Sequence, residues 1–397
     1  MKFVAIGLVV SFVAIAMLLA AIWATDRFPT RFPSPGGPFA VGRTQFYWVE
    51  PRTDELAPNP GMPRRLIVWV WYPAQCGAGT PAAYLPPRWR AALAHRAGIL
   101  MTDFLNRDLA KVHVDAFSDA RVAAYPVRFP VVLLLAGNGA LVTFYTALAE
   151  DLASHGYVVV GPEAAYRTSV VVLPDGTALY RPPSNNPEDL PPSQATALAT
   201  RLVKMWSSDL AFVLDQLATL DDSPGGRFTG RLDLHHVGVV GHSLGGAVAA
   251  EFCHTDSRCA AGVDLDGRLF GPVITEGLRK PFMLEFESAL SPSDPNTARI
   301  FAQVHSMYAH LPADSRLGLS MIGANHFSFT DQMLVKNPIL LALLRFSGVS
   351  GNLGARQGLR LTEESVRAFL GVYLKGQPER NLREIVAGEA HLRAWRN

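Results

Sequence analysis

The chain has 397 residues, 49% of them hydrophobic and 18% charged, and its 36 basic and 34 acidic side chains leave a net charge of +2. The charged share lies below the roughly 25% typical of soluble domains, which excludes disorder over most of the length, and the near-neutral balance leaves no electrostatic footprint for nucleic acid. Three cysteines exclude a disulfide scaffold and a cysteine-rich metal module.

At the amino terminus, Phe3 to Trp23 is a stretch of 21 residues without a charge. An α-helix needs about 20 apolar residues to cross a bilayer core, whereas the apolar part of a signal peptide is usually about 7–15 long. The length favours an uncleaved anchor, and Trp23 suits the interface. The small Ala20, Ala21 and Ala24 keep cleavage open. Residues 1–25 are therefore read as membrane anchor or signal peptide, and residues 26–397 as one folded domain.

Prolines spread over 28–63 mark a tether and loops. Arg43 to Glu50 and Leu66 to Tyr72 read as strands, Arg88 to Ala97 and Met101 to Lys111 as short helices. Pro130 to Leu135 is a continuous apolar run, the mark of a strand buried on both faces, and it ends in Ala136-Gly137-Asn138-Gly139. Helical spacing over 143–155 stops at Gly156, and Tyr157 to Val160 is the next strand. A long helix is expected over 194–220, a strand at His236 to Val240 and a helix at Leu244 to Cys253. Strands at Ala260 to Leu265 and Phe282 to Phe286, a helix at Thr297 to His310 and a strand at Leu317 to Ile322 follow. Thr362 is expected to cap a last helix, with Glu363 and Glu364 in its first turn. This alternation predicts an α/β fold with a mostly parallel central sheet and helices on both faces. One insertion, at about 163–195, breaks it with a hairpin-like stretch (Val170 to Arg181) and a Pro-rich loop. It follows the carboxyl end of a strand, where open α/β sheets take ligands, so a plain surface loop and a lid-like pocket wall both fit.

Gly241-His242-Ser243-Leu244-Gly245 lies between a strand and a helix, the context that the Gly-x-Ser-x-Gly nucleophile turn requires. A serine hydroxyl is a weak nucleophile and needs a base, and in such folds the order is serine, acid, histidine. Of His254, His305, His310, His326 and His391, only His326 follows the last core strand in a loop that can reach the serine. Asp264 and Asp266 both end the strand after the nucleophile helix. Asp266, nearer the catalytic edge, is the chosen acid, with Glu285, Glu287 and Asp264 as rivals. The oxyanion needs backbone N–H donors, expected from Leu244 and from Asn138 in the glycine loop. No cofactor is implied and no metal-ligand spacing occurs; His235-His236 reads as structural. Cys253 and Cys259 stand as either a small-loop disulfide or two buried thiols.

With these residues in hand, the sequence resembles the α/β-hydrolases of the platelet-activating-factor acetylhydrolase type, in particular their bacterial relatives. The matching pieces run from Gly37 to Lys375 and include LLLAGNGA (133–140), VGHSLGGAVAAE (240–251), GVDLDG (262–267) and GANHFSFTD (323–331). The resemblance favours Asp266 over the glutamates and supports Asn138. Two pieces depart from the family: Ala136-Gly137 replaces a usual His-Gly, and Gly161-Pro162-Glu163 replaces Glu-His-Arg. It implies a membrane-anchored or exported serine hydrolase of short-chain or lipid esters. An amidase, peptidase or polyester hydrolase would use the same triad, and a non-catalytic binding protein would keep the fold alone.

Overall fold

Alternate residues of the apolar run at 130–135 go to opposite sides: Val131, Leu133 and Leu135 join one hydrophobic cluster, Val132 and Leu134 the other. The computed structural model describes residues 2–25, 28–77, 79–98, 105–287, 295–346 and 351–395. In chain order the strands are β1 (Thr30–Arg31), β2 (Ala40–Thr53), β3 (Pro63–Ala74), β4 (Thr80–Ala83), β5 (Val112–Ser118), β6 (Phe129–Leu135) and β7 (Val158–Ala164). They continue with β8 (Val170–Val172), β9 (Ala178–Tyr180), β10 (Leu232–His242), β11 (Cys259–Leu265), β12 (Phe282–Glu287), β13 (Arg316–Met321) and β14 (Leu392–Ala394). One sheet has the order β1-β5-β2-β3-β7-β6-β10-β11-β12-β13-β14, with β4 beside β5; β8 and β9 pair separately. From β7 to β13 every neighbour is parallel, while β3 runs antiparallel to β7 and β14 to β13. Helices Thr146–Ser154 and Ala355–Lys375 cover one face; Pro192–Asp222, Leu244–Thr255 and Pro295–His310 cover the other.

The doubly wound sheet agrees with the expectation, and two local expectations are corrected. The last long helix begins at Ala355, so Thr362 is interior and its hydroxyl donates to the Gly358 carbonyl at 3.0 Å. Within that helix, a Cβ at Gly358 would come within 3.0 Å of the Ser328 carbonyl oxygen. That glycine serves close packing inside a helix. Of the helix expected at 101–111, residues 101–104 lie outside the described residues. The rest holds only a 3-10 turn, Leu109–Lys111, whose Ala110 N–H is taken by the Asp108 side chain at 2.8 Å. Cys253 and Cys259 are joined in a disulfide between the Leu244–Thr255 helix and β11.

The amino-terminal helix, Lys2–Thr25, is apolar and largely exposed, and Ile6–Thr25 is long enough to cross a bilayer. Its far end is tied down: the buried Asn337 amide donates to the Ile22 carbonyl (3.2 Å) and the Thr25 hydroxyl (2.9 Å).

Candidate active site

Ser243 follows β10 with φ 56° and ψ −122°, a conformation that costs a non-glycine residue on the order of 1–3 kcal/mol. The surroundings hold it there: its N–H donates to the Leu265 carbonyl (2.9 Å), and its carbonyl accepts from the Gly246 N–H (3.0 Å). A Cβ on Gly241 would strike the Gly245 carbonyl, and one on Gly245 would sit 2.5 Å from the Ala136 oxygen. The two motif glycines thus let strand, turn and helix pass at contact distance.

Parallel register brings the expected partners to one edge. Leu135 lies opposite Gly241, His242 opposite Leu265, and Leu265 opposite Glu285. The loops that follow β6, β10 and β11 therefore emerge side by side, carrying Asn138, Ser243 and Asp266. The chain after β13 returns over this edge with His326. Its Nδ1 donates to Asp266 Oδ2 at 2.6 Å, and Asp266 Oδ1 accepts the Glu287 N–H at 3.1 Å. That fixes the tautomer and leaves Nε2 as the nitrogen free to take a proton. Burial pushes the imidazole pKa down. The Asp266 hydrogen bond and charge, aided by Glu287 and Glu188, more than offset this and raise it above 6.5.

Of the other candidates, Glu287 stands beside the His326–Asp266 pair and the rest are engaged elsewhere. Burial, then the charge of Asp266, pushes the Asp264 carboxyl well above the carboxylate range, beneath the turn and against Gly246 and Gly267. Burial pushes Glu285 up to about 8, and its carboxylate accepts from the Ser365 hydroxyl at 2.6 Å. Burial likewise pushes Glu287 up to about 7, helped by Asp266 and opposed by His326. His254, His310 and His391 bond through Nδ1 to the Gly277, Ser306 and Ile322 carbonyls, while His305 packs on Trp395.

Two residues of the site escaped the sequence reading. His242 Nε2 lies 2.8 Å from the His326 carbonyl, and its Nδ1 lies 2.8 Å from the Tyr145 hydroxyl. A carbonyl only accepts, so Nε2 carries hydrogen. Burial foremost, and the neighbouring His326, hold the His242 pKa well below 6.5, so the ring is neutral and Nδ1 accepts from Tyr145. The same Tyr145 oxygen accepts the Gly137 N–H at 3.0 Å. One chain of hydrogen bonds therefore joins the glycine loop to the histidine loop. Nothing periodic marks these residues. The available signal was a histidine at the motif position that strand order buries.

Gly137 abuts the serine: a Cβ there would lie 3.2 Å from Ser243 Cβ. The Leu244 N–H opens the helix and lacks an intrahelical partner, and among the described residues the Asn138 N–H is likewise uncommitted. Gly137, Asn138, Ser243 and His326 line a cavity of about 370 Å³, with Leu93, Phe144 and Phe327 as apolar walls. Arg96 adds a charge at its margin, and the insertion contributes Ser169, Arg181 and Glu188.

Against known proteins, a family model described as platelet-activating factor acetylhydrolase, isoform II, matches residues 27–173 and 224–384. A probable 1-alkyl-2-acetylglycerophosphocholine esterase of Arthroderma benhamiae is 25% identical over 278 residues, 66% of this chain and 65% of that protein. The platelet-activating factor acetylhydrolase of Bos taurus is 25% identical over 293 residues, 66% and 62%. The match thus spans just under two thirds of each of these two relatives. That of Cavia porcellus is 22% identical over 376 residues, 87% and 78%. A solved ferulic acid esterase from Streptomyces cinnamoneus superposes with a TM-score of 0.75 at 28% identity, over 93% of this chain and 100% of that one. The sheet order and these matches agree on an α/β-hydrolase fold, and the chain belongs to the platelet-activating factor acetylhydrolase isoform II family.

Proposed function

We propose that the chain is a serine hydrolase of carboxylic esters, held at a membrane by its amino-terminal helix. Ser243 Oγ attacks the acyl carbonyl while His326 Nε2 takes its proton and Asp266 steadies the imidazolium. The Leu244 and Asn138 N–H groups receive the developing oxyanion. The tetrahedral adduct collapses as His326 gives its proton to the leaving alcohol. Water, deprotonated by the same nitrogen, then releases the acid and restores the serine. The observation that carries the reading is the strained Ser243 sharing one cleft with the His326–Asp266 pair, whose hydrogen bond is 2.6 Å.

A cavity of about 370 Å³ has room for a small ester. The names of the relatives point to acetyl esters of glycerophosphocholine lipids, and the solved neighbour adds ferulic acid esters as a second arm. The tie from Asn337 to Ile22 and Thr25 supports a retained anchor, since cleavage there would strip a buried amide of two partners.

The test is a panel: p-nitrophenyl acetate and octanoate, a 1-alkyl-2-acetylglycerophosphocholine, methyl ferulate and an acetanilide. We expect acetyl esters to be cleaved well ahead of octanoate and anilide, and Ser243→Ala to lose at least ~10³-fold in kcat. Undiminished turnover by Ser243→Ala, or anilide cleaved as fast as ester, would contradict the reading.

A further inference from the structure

Asn138 offers the cleft its backbone N–H, yet its side chain is turned away and fully occupied. Its Oδ1 accepts from Arg181 Nη1 at 2.7 Å; its Nδ2 donates to Asn186 Oδ1 at 2.9 Å and to Glu188 Oε1 at 3.0 Å. The next carbonyl, of Gly139, accepts the Ser169 N–H at 3.0 Å. All four partners belong to the insertion. The Arg181 guanidinium also lies flat on Gly139, where a Cβ would come within 2.6 Å of its nitrogens. Gly139 has φ +67°, so the turn favours glycine there, and its lack of a side chain leaves room for the guanidinium. Arg181 is 9% exposed and its Nε has no hydrogen-bond partner; burial works against its charge, and the charge of Glu188 favours it. Its charge is permanent and stands beside the loop that is to receive negative charge. Arg181, Asn186 and Glu188 fall in the stretch between 173 and 224 that the family model leaves unmatched.

We propose that Arg181 is a positioning residue of the oxyanion loop, acting through Asn138 and Gly139, and that the insertion is a fixed brace of that loop rather than a lid that opens over the cleft. A loop containing Gly137 and Gly139 samples many backbone states, and an oxyanion donor is effective only when held in place before charge develops. The clasp removes that freedom from outside, as Tyr145 does from the core side at Gly137. Swinging the insertion away would break the three side-chain bonds of Asn138 and release its N–H from register. The inference rests on the proposed acyl transfer at Ser243 and specifies how its oxyanion site is kept in shape.

The experiment uses the full chain in detergent, with Arg181→Ala, Arg181→Lys, Asn138→Ala and the Arg181→Ala/Asn138→Ala double variant. Asn138→Ala keeps the backbone N–H and removes only the clasped amide. With p-nitrophenyl acetate we expect Arg181→Ala and Asn138→Ala each to lose ~10²-fold in kcat, with KM within about threefold, because a misplaced donor costs transition-state rather than ground-state binding. The double variant should lose little more than either alone, since both cut one linkage. Guanidinium in the buffer should restore part of the kcat of Arg181→Ala and none of that of Asn138→Ala. Arg181→Lys, the milder change, should fall between wild type and alanine, and it carries the comparison if Arg181→Ala does not fold. Amide exchange at 137–140 should accelerate in Arg181→Ala and Asn138→Ala, a readout independent of hydrolysis. Unchanged exchange in these variants would overturn the brace whatever Ser243 does, as would a kcat for Arg181→Ala within threefold of wild type or losses that multiply in the double variant. Failure of the acyl-transfer reading itself would instead appear as undiminished turnover by Ser243→Ala.

Discussion

Tyr145 gives one hydroxyl to two loops: it accepts from Gly137 and donates to His242, whose other nitrogen holds the His326 carbonyl. Tyr145→Phe keeps the ring and removes that bridge. The expected result is a kcat loss of ~10-fold to ~10²-fold with little change in KM, measured on p-nitrophenyl acetate; a rise in KM alone would contradict the role. The pH profile tests the second pair. His326 must be neutral to act as base, and Asp266, Glu287 and Glu188 hold its pKa above 6.5 despite burial. The acid limb of kcat/KM should therefore lie above about 6.5, with activity gained as pH rises through it. Glu287→Gln removes one raising charge and should move that limb to lower pH. A wild-type limb well below 6.5, or one that Glu287→Gln moves upward, would contradict this assignment. That Ser243, Asp266 and His326 would meet at one edge of the sheet was legible in the sequence, from the nucleophile turn and the order of the strands, with the family resemblance favouring Asp266 over Asp264 and the glutamates. Tyr145, His242 and Arg181 were not, because their meaning lies in hydrogen bonds between segments far apart in the chain.

At the scale of elements, the sheet was readable wherever burial on both faces erases polar residues, as in β6 and in residues 237–240 of β10, whereas the polar start of β10 at Asp233 to His235 was missed. The helix start at Ala355 was missed because Thr362 followed by Glu363 and Glu364 matches a cap and first turn, whereas Gly358, inside the helix, packs against Ser328. Helix Pro192–Asp222 is docked through a buried charge pair. Arg64 reaches Asp209 through Nε and Nη2, both at 2.6 Å, and Asp54 through Nη1 at 2.9 Å, with all three side chains fully buried. Removing Asp209 leaves the buried Arg64 with Asp54 alone and takes the acceptor from its Nε and Nη2, so Asp209→Ala should destabilise the fold by about 3–5 kcal/mol in denaturant unfolding. A loss below about 1 kcal/mol would contradict that docking. The Cys253–Cys259 bridge closes a short loop behind the nucleophile helix, and spacing alone could not decide it because pairing depends on Cα separation, here 5.0 Å.

For the molecule as a whole, the high apolar fraction divides between a sheet covered on two sides and one exposed apolar helix. The membrane-tethered reading makes a simple demand. Deleting residues 1–25 should move the protein from the membrane to the soluble fraction while leaving kcat on a soluble ester within a few-fold. Continued membrane association of the truncated chain would contradict the anchor. The central claim is that Ser243 is the nucleophile of an acyl transfer, and covalent labelling tests it most directly. A fluorophosphonate should add once per chain, with peptide mass mapping placing it on Ser243, and Ser243→Ala should take none. An adduct on another serine, or equal labelling of Ser243→Ala, would contradict it.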